Sequence, residues 1–318
     1  MLKNRKRYAA VLAIVTVLAL VGGLFPAASY AADTTPVAKT SAFTDVQGGT
    51  DAAANFNLLY SLNIFKGYAG QTTVGPDDYL TREQFAAVAV RMMNRATLAT
   101  ALATVTPSFT DAAQITMPGE VNAAAALQLV NGYPDGSFKP QGLVTYAEAA
   151  AMLVRARHLN AAAVGPWPFN YIALADQIGL SEGLTDIAAS LPLTRSEMAQ
   201  MVVNTLSNKY GYDAETATLS NTNPLVAQGS LLEARSNVVP GTLSSSTSTA
   251  ITVGGTSYDL AATFYLSGAS KLSELNNTSV QVVLDADGKV VSVNPTSTTS
   301  TSTVTITSVT AASYAATL

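Results

Sequence analysis

Two arginines at the start of helical segments are the residues of this chain best suited to binding an anion. The stretches "LTREQF" (80–85) and "LTRSEM" (193–198) place Arg82 and Arg195 directly after a threonine, and apolar residues at helical spacing follow. A cation at this position opposes the positive end of the helix dipole. Each arginine is therefore expected either to pair with an acidic residue of another segment or to face an anionic ligand at the helix N-terminus.

The threonines before these helices have a local explanation. A threonine N-cap accepts a hydrogen bond from a backbone N–H of the first turn, and Glu or Gln three residues later bonds back to the N-cap N–H. Three such structural caps are predicted: Thr81 with Gln84, Thr145 with Glu148, and Thr194 with Glu197. The second helix carries Tyr146 where the others carry Arg.

Each capped helix follows another helical segment and a glycine turn, so the chain repeats one unit three times. The earlier segments are 51–65, 119–130 and 169–180, and the turns are "KGYAG" (66–70), "NGYPDGSF" (131–138) and "SEGLTD" (181–186). We interpret Gly67, Gly132 and Gly183 as the left-handed residues that end these first helices. Neither helix of a pair can bury its apolar face alone, which predicts one shared core for the three pairs.

The composition offers little for catalysis. The chain has no Cys and one His, His158, near the end of the second capped helix. Thiolate chemistry is excluded, and a helix C-terminal position is the commoner interpretation of a lone His. The turn "DADG" (285–288) lacks the remaining ligands of a calcium loop. We expect no catalytic residue, no metal site and no cofactor.

The first 31 residues read as a secretory signal peptide. A basic start, an apolar run (8–25) and small residues at Ser29 and Ala31 favour cleavage after Ala31 over retention as a membrane anchor. Cleavage removes four of the 17 basic residues and none of the 21 acidic ones, which leaves a net charge near −8. That balance argues against nucleic acid or an anionic membrane as a partner.

The second half of the chain changes to a period of two. Apolar and hydroxyl residues alternate from 238 to 294, "VGGT" (253–256) reads as a hairpin turn, and "DADGK" (285–289) as a second turn. The predicted fold class is therefore α+β, with an all-α N-terminal bundle and a small antiparallel β-sheet or barrel of about five strands at 238–294. Residues 209–237 are expected to form a linker with a short helical turn, and 295–318 a Ser/Thr-rich spacer with a further strand.

The openings "AFTDV" (42–46) and "SFTDA" (108–112), the turn "NGYPDGSFKP" (131–140) and the "LTR" helix starts resemble the S-layer homology domain. The resemblance covers about 42–206, with repeats at 42–98, 108–160 and, in a degenerate form, 165–208. The third repeat lacks the Phe-x-Asp opening and begins with "GPWPFN" (165–170).

The resemblance implies a three-pronged helical assembly with pseudo-threefold symmetry that binds a secondary cell-wall polysaccharide, often one bearing a pyruvate ketal, in grooves between its prongs. The residues implied as glycan contacts are Arg82, Arg195, Asp45, Asp111, Thr81, Thr194, Tyr68, Tyr133 and Trp167. The three aromatic residues either offer flat faces to sugar rings or pack in the turns and core. Because repeats 2 and 3 depart from the family pattern, one or two competent grooves are expected.

The leading functional hypothesis is an exported, non-enzymatic protein of a bacterial surface layer or cell wall, anchored through its repeats and able to self-associate. Its β domain would be a spacer, a lattice contact or a presenting module. The alternative is a wall-anchored enzyme, such as a hydrolase, or an adhesin, with its active part in or beyond the C-terminal region. A membrane porin is disfavoured because the segment after 238 is too short for eight membrane strands.

Overall fold

The fold was examined in a computed structural model that describes residues 36–185 and 187–296. The signal peptide and most of the C-terminal spacer predicted above lie outside these residues. None of the helices in the described ranges is long and apolar enough to cross a membrane.

The described helical half contains seven α-helices arranged as pairs with one short addition. They are α1 (Asp51–Ser61), α2 (Arg82–Met92), α3 (Ala96–Ala101), α4 (Pro118–Ala126), α5 (Tyr146–Ala156), α6 (Phe169–Gln177) and α7 (Arg195–Ser207). Helices α2, α5 and α7 each begin with a reciprocal capping box, at Thr81, Thr145 and Thr194 respectively. The local sequence pattern therefore sets where these three helices start.

The N-termini of the three capped helices are joined in a ring of backbone hydrogen bonds. The N–H of Arg82 donates to the carbonyl of Gly142 at 2.8 Å, before α5. The N–H of Tyr146 donates to Leu191 at 2.9 Å, and that of Arg195 to Asp78 at 2.8 Å. Each helix thus satisfies an orphan N–H group with the loop that precedes the next capped helix, and the third contact returns to the first loop.

The first helix of each pair ends earlier than the glycine turns suggest. The left-handed residues that follow α1, α4 and α6 are Asn63, Gln128 and Gly179, with φ of 56°, 59° and 76°. In each case the next N–H bonds back to a carbonyl five residues earlier, as from Ile64 to Leu59 at 2.9 Å. These are Schellman motifs. The prediction that Gly67, Gly132 and Gly183 end the helices was therefore wrong.

Gly67 and Gly132 instead allow the turn to pack against the repeat opening. Both have a positive φ, and a Cβ on Gly132 would lie 2.9 Å from the Phe109 ring and 3.0 Å from the Ser137 carbonyl oxygen. A Cβ on Gly67 would lie 2.6 Å from the Phe43 ring. The opening Phe of each of the first two repeats thus requires a glycine in the turn. Gly183 also has a positive φ, but its nearest neighbour is the Gln200 side chain at 3.4 Å.

The C-terminal half forms a closed five-stranded barrel. Its strands are β4 (Val238–Ser246), β5 (Ala250–Val253), β6 (Thr256–Leu266), β7 (Ser279–Leu284) and β8 (Val290–Pro295). They pair in the order β6-β5-β4-β7-β8, and β8 closes on β6. The closing pair is parallel, so the expectation of a purely antiparallel sheet was wrong. The Gly254–Gly255 hairpin turn joins β5 to β6, with positive φ at both glycines.

A strand from before the first repeat also joins the barrel. Strand β1 (Val37–Lys39) pairs in parallel with β6, with Val37 opposite Thr263. The two halves are therefore not simply consecutive along the chain, because the segment just N-terminal to the helices belongs to the C-terminal sheet.

The segment predicted as a linker is bound to the helices. It contains a short hairpin of β2 (Gly211–Asp213) and β3 (Thr218–Ser220). It also contains the expected short helical turn, in which the N–H of Ala234 donates to the carbonyl of Ser230 at 3.2 Å. The buried Arg235 donates to the carbonyls of Arg91 and Met92 at 2.8 and 3.0 Å, at the C-terminus of α2. The buried Arg157 donates to the carbonyls of Gly229 and Tyr210 at 3.2 and 3.4 Å. These guanidinium groups fix 209–237 against two capped helices.

Candidate functional site

Arg82, the first residue of α2, lies across the junction with the second repeat. Its side chain is buried, and its Nη1 atom is 3.3 Å from Oε1 of Glu148 on α5. The guanidinium carbon is 4.9 Å from the centroid of the Tyr133 ring and 5.2 Å from that of Phe138. Of the two roles left open by the sequence, pairing with an acid of another repeat is therefore the one seen for Arg82.

Tyr133 completes this cluster from the turn between α4 and α5. Its hydroxyl donates to Glu148 Oε1, the same oxygen that faces Arg82. Burial, together with this hydrogen bond, raises the pKa of Tyr133 to about 12. The phenol is therefore neutral at physiological pH. The Nζ atom of Lys139 lies 4.0 Å from the centroid of the Tyr133 ring, which adds a second cation beside the ring.

A cavity of about 290 Å³ opens beside this cluster. Its wall includes Arg82, Tyr133, Glu148, Arg155 and Trp167. Trp167 is 55% exposed and packs edge-to-face on Tyr171, with ring centroids 5.8 Å apart. An exposed indole, a phenol, two guanidinium groups and a carboxylate in one concave site can stack on an apolar face and hydrogen-bond to polar substituents.

A second cavity, of about 590 Å³, adjoins the first. The two share Asn131 and Arg155, and the second is also lined by Gln128, His158 and Asn160. Arg155 lies at the C-terminal end of α5 and donates to the carbonyl of Leu129 at 3.1 Å and to the Tyr171 hydroxyl at 3.3 Å. We call the two cavities together the α5 groove.

Arg195 occupies the equivalent position at the start of α7, against residues of the first repeat. It is 4% exposed, and its guanidinium carbon is 4.3 Å from the centroid of Tyr68 and 4.5 Å from that of Phe65. Burial lowers the pKa of Arg195, while the fields of Tyr68 and Asp78 oppose this shift. The described residues place no carboxylate within salt-bridge distance of it. Arg195 is therefore a buried cation without the ion pair that Arg82 has.

The first position of α5 is not an arginine. Tyr146 is buried at the first position of α5, and its N–H takes part in the ring through Leu191. A phenol at this position provides no permanent cation, so the start of α5 differs chemically from those of α2 and α7.

Asp45 and Asp111 stabilise loops. The Asp45 carboxylate accepts from the N–H groups of Val74 and Gly75 at 2.7–3.0 Å. The Asp111 carboxylate accepts from Phe138 at 2.9 Å and Lys139 at 2.7 Å. Both carboxylates thus shape the turn that carries Tyr68 or Tyr133. The hydroxyls of Thr81 and Thr194 accept the backbone N–H of their capping boxes.

Sequence reasoning missed the part that two charged residues play in the α5 groove. Glu148 was interpreted only as a cap, although it also accepts from Tyr133 and pairs with Arg82. Arg155 was not singled out, because an arginine in the last turn of a helix is ordinarily explained by the helix dipole. The only sequence signal was that Arg155 and Arg91 occupy the same position in α5 and α2, nine residues after the first helical residue.

The other cavities and clusters described contain fewer groups that could bind a ligand. A cleft of about 570 Å³ lies between α1 and the barrel, where Tyr60 and Tyr265 pack edge-to-face at 5.7 Å. In the described ranges no three His, Asp or Glu side chains are grouped so as to hold a metal ion. The α5 groove brings three of the expected glycan contacts together in one cavity, namely Arg82, Tyr133 and Trp167.

Comparison with known proteins finds a family model that matches two stretches of the chain. Residues 42–86 and 108–150 match the S-layer homology domain. The chain is 34% identical over 157 residues to the middle cell wall protein of Brevibacillus brevis, covering 49% of this chain and 14% of that protein. It is 33% identical over 163 residues to the surface layer protein of Brevibacillus choshinensis, covering 50% and 14%.

A cell surface protein of Thermoanaerobacter kivui is 31% identical over 199 residues, which is 62% of this chain and 24% of that protein. A shorter match of 113 residues, 32% identical, is to the exoglucanase XynX of Acetivibrio thermocellus, covering 35% of this chain and 10% of the enzyme. The chain spans less than a quarter of the length of each of these relatives. The matches support a location at the bacterial cell surface.

Proposed function

From the two S-layer homology domains at 42–86 and 108–150, we propose that this chain is a cell-surface anchor that holds an exported protein on a secondary cell-wall polysaccharide. The observation that carries the proposal is the α5 groove, where Arg82, Tyr133 and Trp167 meet in one cavity. The groove lies at a junction between repeats, which is where the family resemblance implies that the polysaccharide binds.

A third, degenerate repeat at 165–208 is part of this proposal. In its favour, α7 has the same capping box as α2 and α5, and its N-terminus takes part in the same ring of hydrogen bonds. Arg195 also rests on the ring of Tyr68, as Arg82 rests on that of Tyr133. We infer a pseudo-threefold assembly in which the junctions at Arg82 and Arg195 bind glycan and the junction at Tyr146 does not.

The proposed ligand is a polysaccharide that carries acidic groups, such as a pyruvate ketal. Guanidinium groups present several donors in a planar fork that matches a carboxylate, and partial burial strengthens such bonds relative to water. Aromatic side chains pack against the apolar faces of ligands and present few rotatable bonds. The α5 groove combines both kinds of group.

We propose that the barrel is not catalytic and serves as a spacer, a lattice contact or a presenting module. Self-association in a surface layer belongs to the same proposal. The alternative is an anchored wall enzyme or adhesin. The partial match to an exoglucanase is the observation that favours the enzyme. Release of soluble sugar from purified walls would favour the enzyme, whereas saturable binding without turnover favours the anchor.

The test is co-sedimentation of the chain from residue 32 onward with purified cell-wall sacculi, before and after removal of the non-peptidoglycan polymer. We expect binding only to walls that retain the polymer. The variants Trp167→Ala and Arg195→Ala should each weaken binding at least tenfold, whereas Arg95→Ala, at an exposed arginine after α2, should bind like the parent chain. Equal binding to stripped walls, or no binding to intact ones, would contradict the proposal.

A further inference from the structure

The α5 groove has an unequal distribution of charge around its two arginines. Glu148 lies against Arg82 at 3.3 Å and so neutralises it locally. Arg155 also lines the groove, but its donors bond to neutral acceptors, the carbonyl of Leu129 and the hydroxyl of Tyr171. Within residues 36–185 and 187–296, no carboxylate comes within 4.0 Å of the Arg155 guanidinium.

The equivalent positions in the other repeats show that this is particular to Arg155. In α2 the position is held by Arg91, whose Nη2 atom pairs with Glu120 Oε1 at 3.1 Å. In α7 it is held by Asn204, which donates to the carbonyls of Leu180 and Glu182. Only in the second repeat does this helix position provide a cation without a carboxylate partner among the described residues.

Arg155 is also placed centrally. It and Asn131 line both cavities of the groove, so a ligand that extends from one cavity into the other must pass them. Trp167 and Tyr133 lie on the first side, and Gln128, His158 and Asn160 lie on the second. The combined volume exceeds what a single sugar ring fills, and the lining changes from aromatic to polar along its length.

We propose that Arg155, rather than Arg82, is the anion contact of the α5 groove, and that the groove binds a chain of two or more sugars whose carboxylate or phosphate group lies at Arg155. This inference rests on the proposed function. A guanidinium has five N–H donors, and two of its nitrogen atoms already bond to protein, so the group is held in place while donors remain for a ligand. Arg82 then acts as a positioning residue that holds Glu148 and Tyr133.

The test is calorimetric titration of the chain from residue 32 onward with the purified wall polymer of the producing bacterium, used untreated, after reduction of its carboxyl groups, and after phosphatase treatment. We expect Arg155→Gln to bind untreated polymer at least tenfold more weakly and with a shallower dependence on salt. The treatment that removes the relevant anion should abolish the difference between variant and parent chain, which identifies the anion as carboxylate or phosphate.

Arg91→Gln is the matched control, because it removes the equivalent arginine from a position paired with Glu120 and should leave binding unchanged. Arg155→Lys keeps the charge and should retain part of the affinity. If Arg155→Gln binds untreated polymer as tightly as the parent chain, the inference fails while the anchor function stands. It also fails if the variant loses affinity equally for all three polymers. If the parent chain binds none of them, the proposed function itself fails.

Discussion

Arg82 and Glu148 lie in different repeats, yet the guanidinium of one is 3.3 Å from the carboxylate of the other. The Glu148 carboxylate makes three contacts. It caps α5 by accepting a hydrogen bond from the N–H of Thr145 at 3.1 Å. It also accepts a hydrogen bond from the Tyr133 hydroxyl and forms the ion pair with Arg82. One carboxylate therefore connects a helix start, a turn and the neighbouring repeat.

Glu148→Ala should destabilise the fold by about 3 kcal/mol, because it leaves the nearly buried Arg82 guanidinium without its counter-charge. The matched variant is Glu197→Ala, which removes a capping carboxylate that has no arginine partner among the described residues, and which should cost about 1 kcal/mol. Urea unfolding followed by circular dichroism measures both. Equal losses for the two variants would show that the ion pair contributes no stability beyond the cap.

Gly132→Ala should be more destabilising than an alanine at another glycine of similar backbone conformation. Gly132 has a φ of 74°, and a new Cβ would contact the Phe109 ring, so we expect a loss of about 3 kcal/mol. Gly288 has a φ of 76° but open space around it, so Gly288→Ala should cost only about 1 kcal/mol. Thermal unfolding of the two variants gives the comparison, and similar values would mean that the Phe109 contact relaxes freely.

Arg235→Ala should destabilise the protein by about 2 kcal/mol, because it removes charge-assisted hydrogen bonds to the carbonyls of Arg91 and Met92. Arg95→Ala, at an exposed arginine near the same helix end, should change stability by less than about 0.5 kcal/mol. Denaturant unfolding with helix and tertiary probes checks this. A loss for Arg95→Ala as large as for Arg235→Ala would contradict the docking role of Arg235.

The stability of the parent chain should fall between about pH 10 and pH 12 in part through Tyr133. The folded pKa of Tyr133 is raised from 10.0 to about 12, so the unfolded chain loses this proton first as the pH rises. The stability that the raised pKa of Tyr133 contributes is fully present below pH 10 and is lost as the pH approaches 12. Tyr133→Phe should remove this part of the pH dependence, as measured by urea unfolding at several pH values. If the free energy of unfolding of Tyr133→Phe falls with pH as steeply as that of the parent chain, Tyr133 is not the source of this pH dependence.

Local sequence determined the parts of the fold that depend on residues close together in the chain. Each capping box links residues three positions apart, so Thr81, Thr145 and Thr194 could be identified as helix starts from spacing alone. The alternation of apolar and hydroxyl residues after 238 was likewise enough to predict a small sheet or barrel, and Gly254–Gly255 was enough to predict the hairpin between β5 and β6. The similarity of the first two repeats to the S-layer homology domain was also recognisable from their sequence motifs.

Only the tertiary structure decided which distant groups meet. The pairing of Arg82 with Glu148, the closure of the barrel by a parallel strand pair, and the entry of β1 into that barrel all join segments far apart in the chain, and no local pattern encodes them. The helix ends at Asn63 and Gln128 were missed because the left-handed conformation is typical of glycine, and a residue with a side chain adopts it only where the surrounding packing compensates its cost. Arg155 illustrates the same limit: its sequence position matches Arg91, and only the surrounding fold gives Arg91 a carboxylate and leaves Arg155 facing the groove.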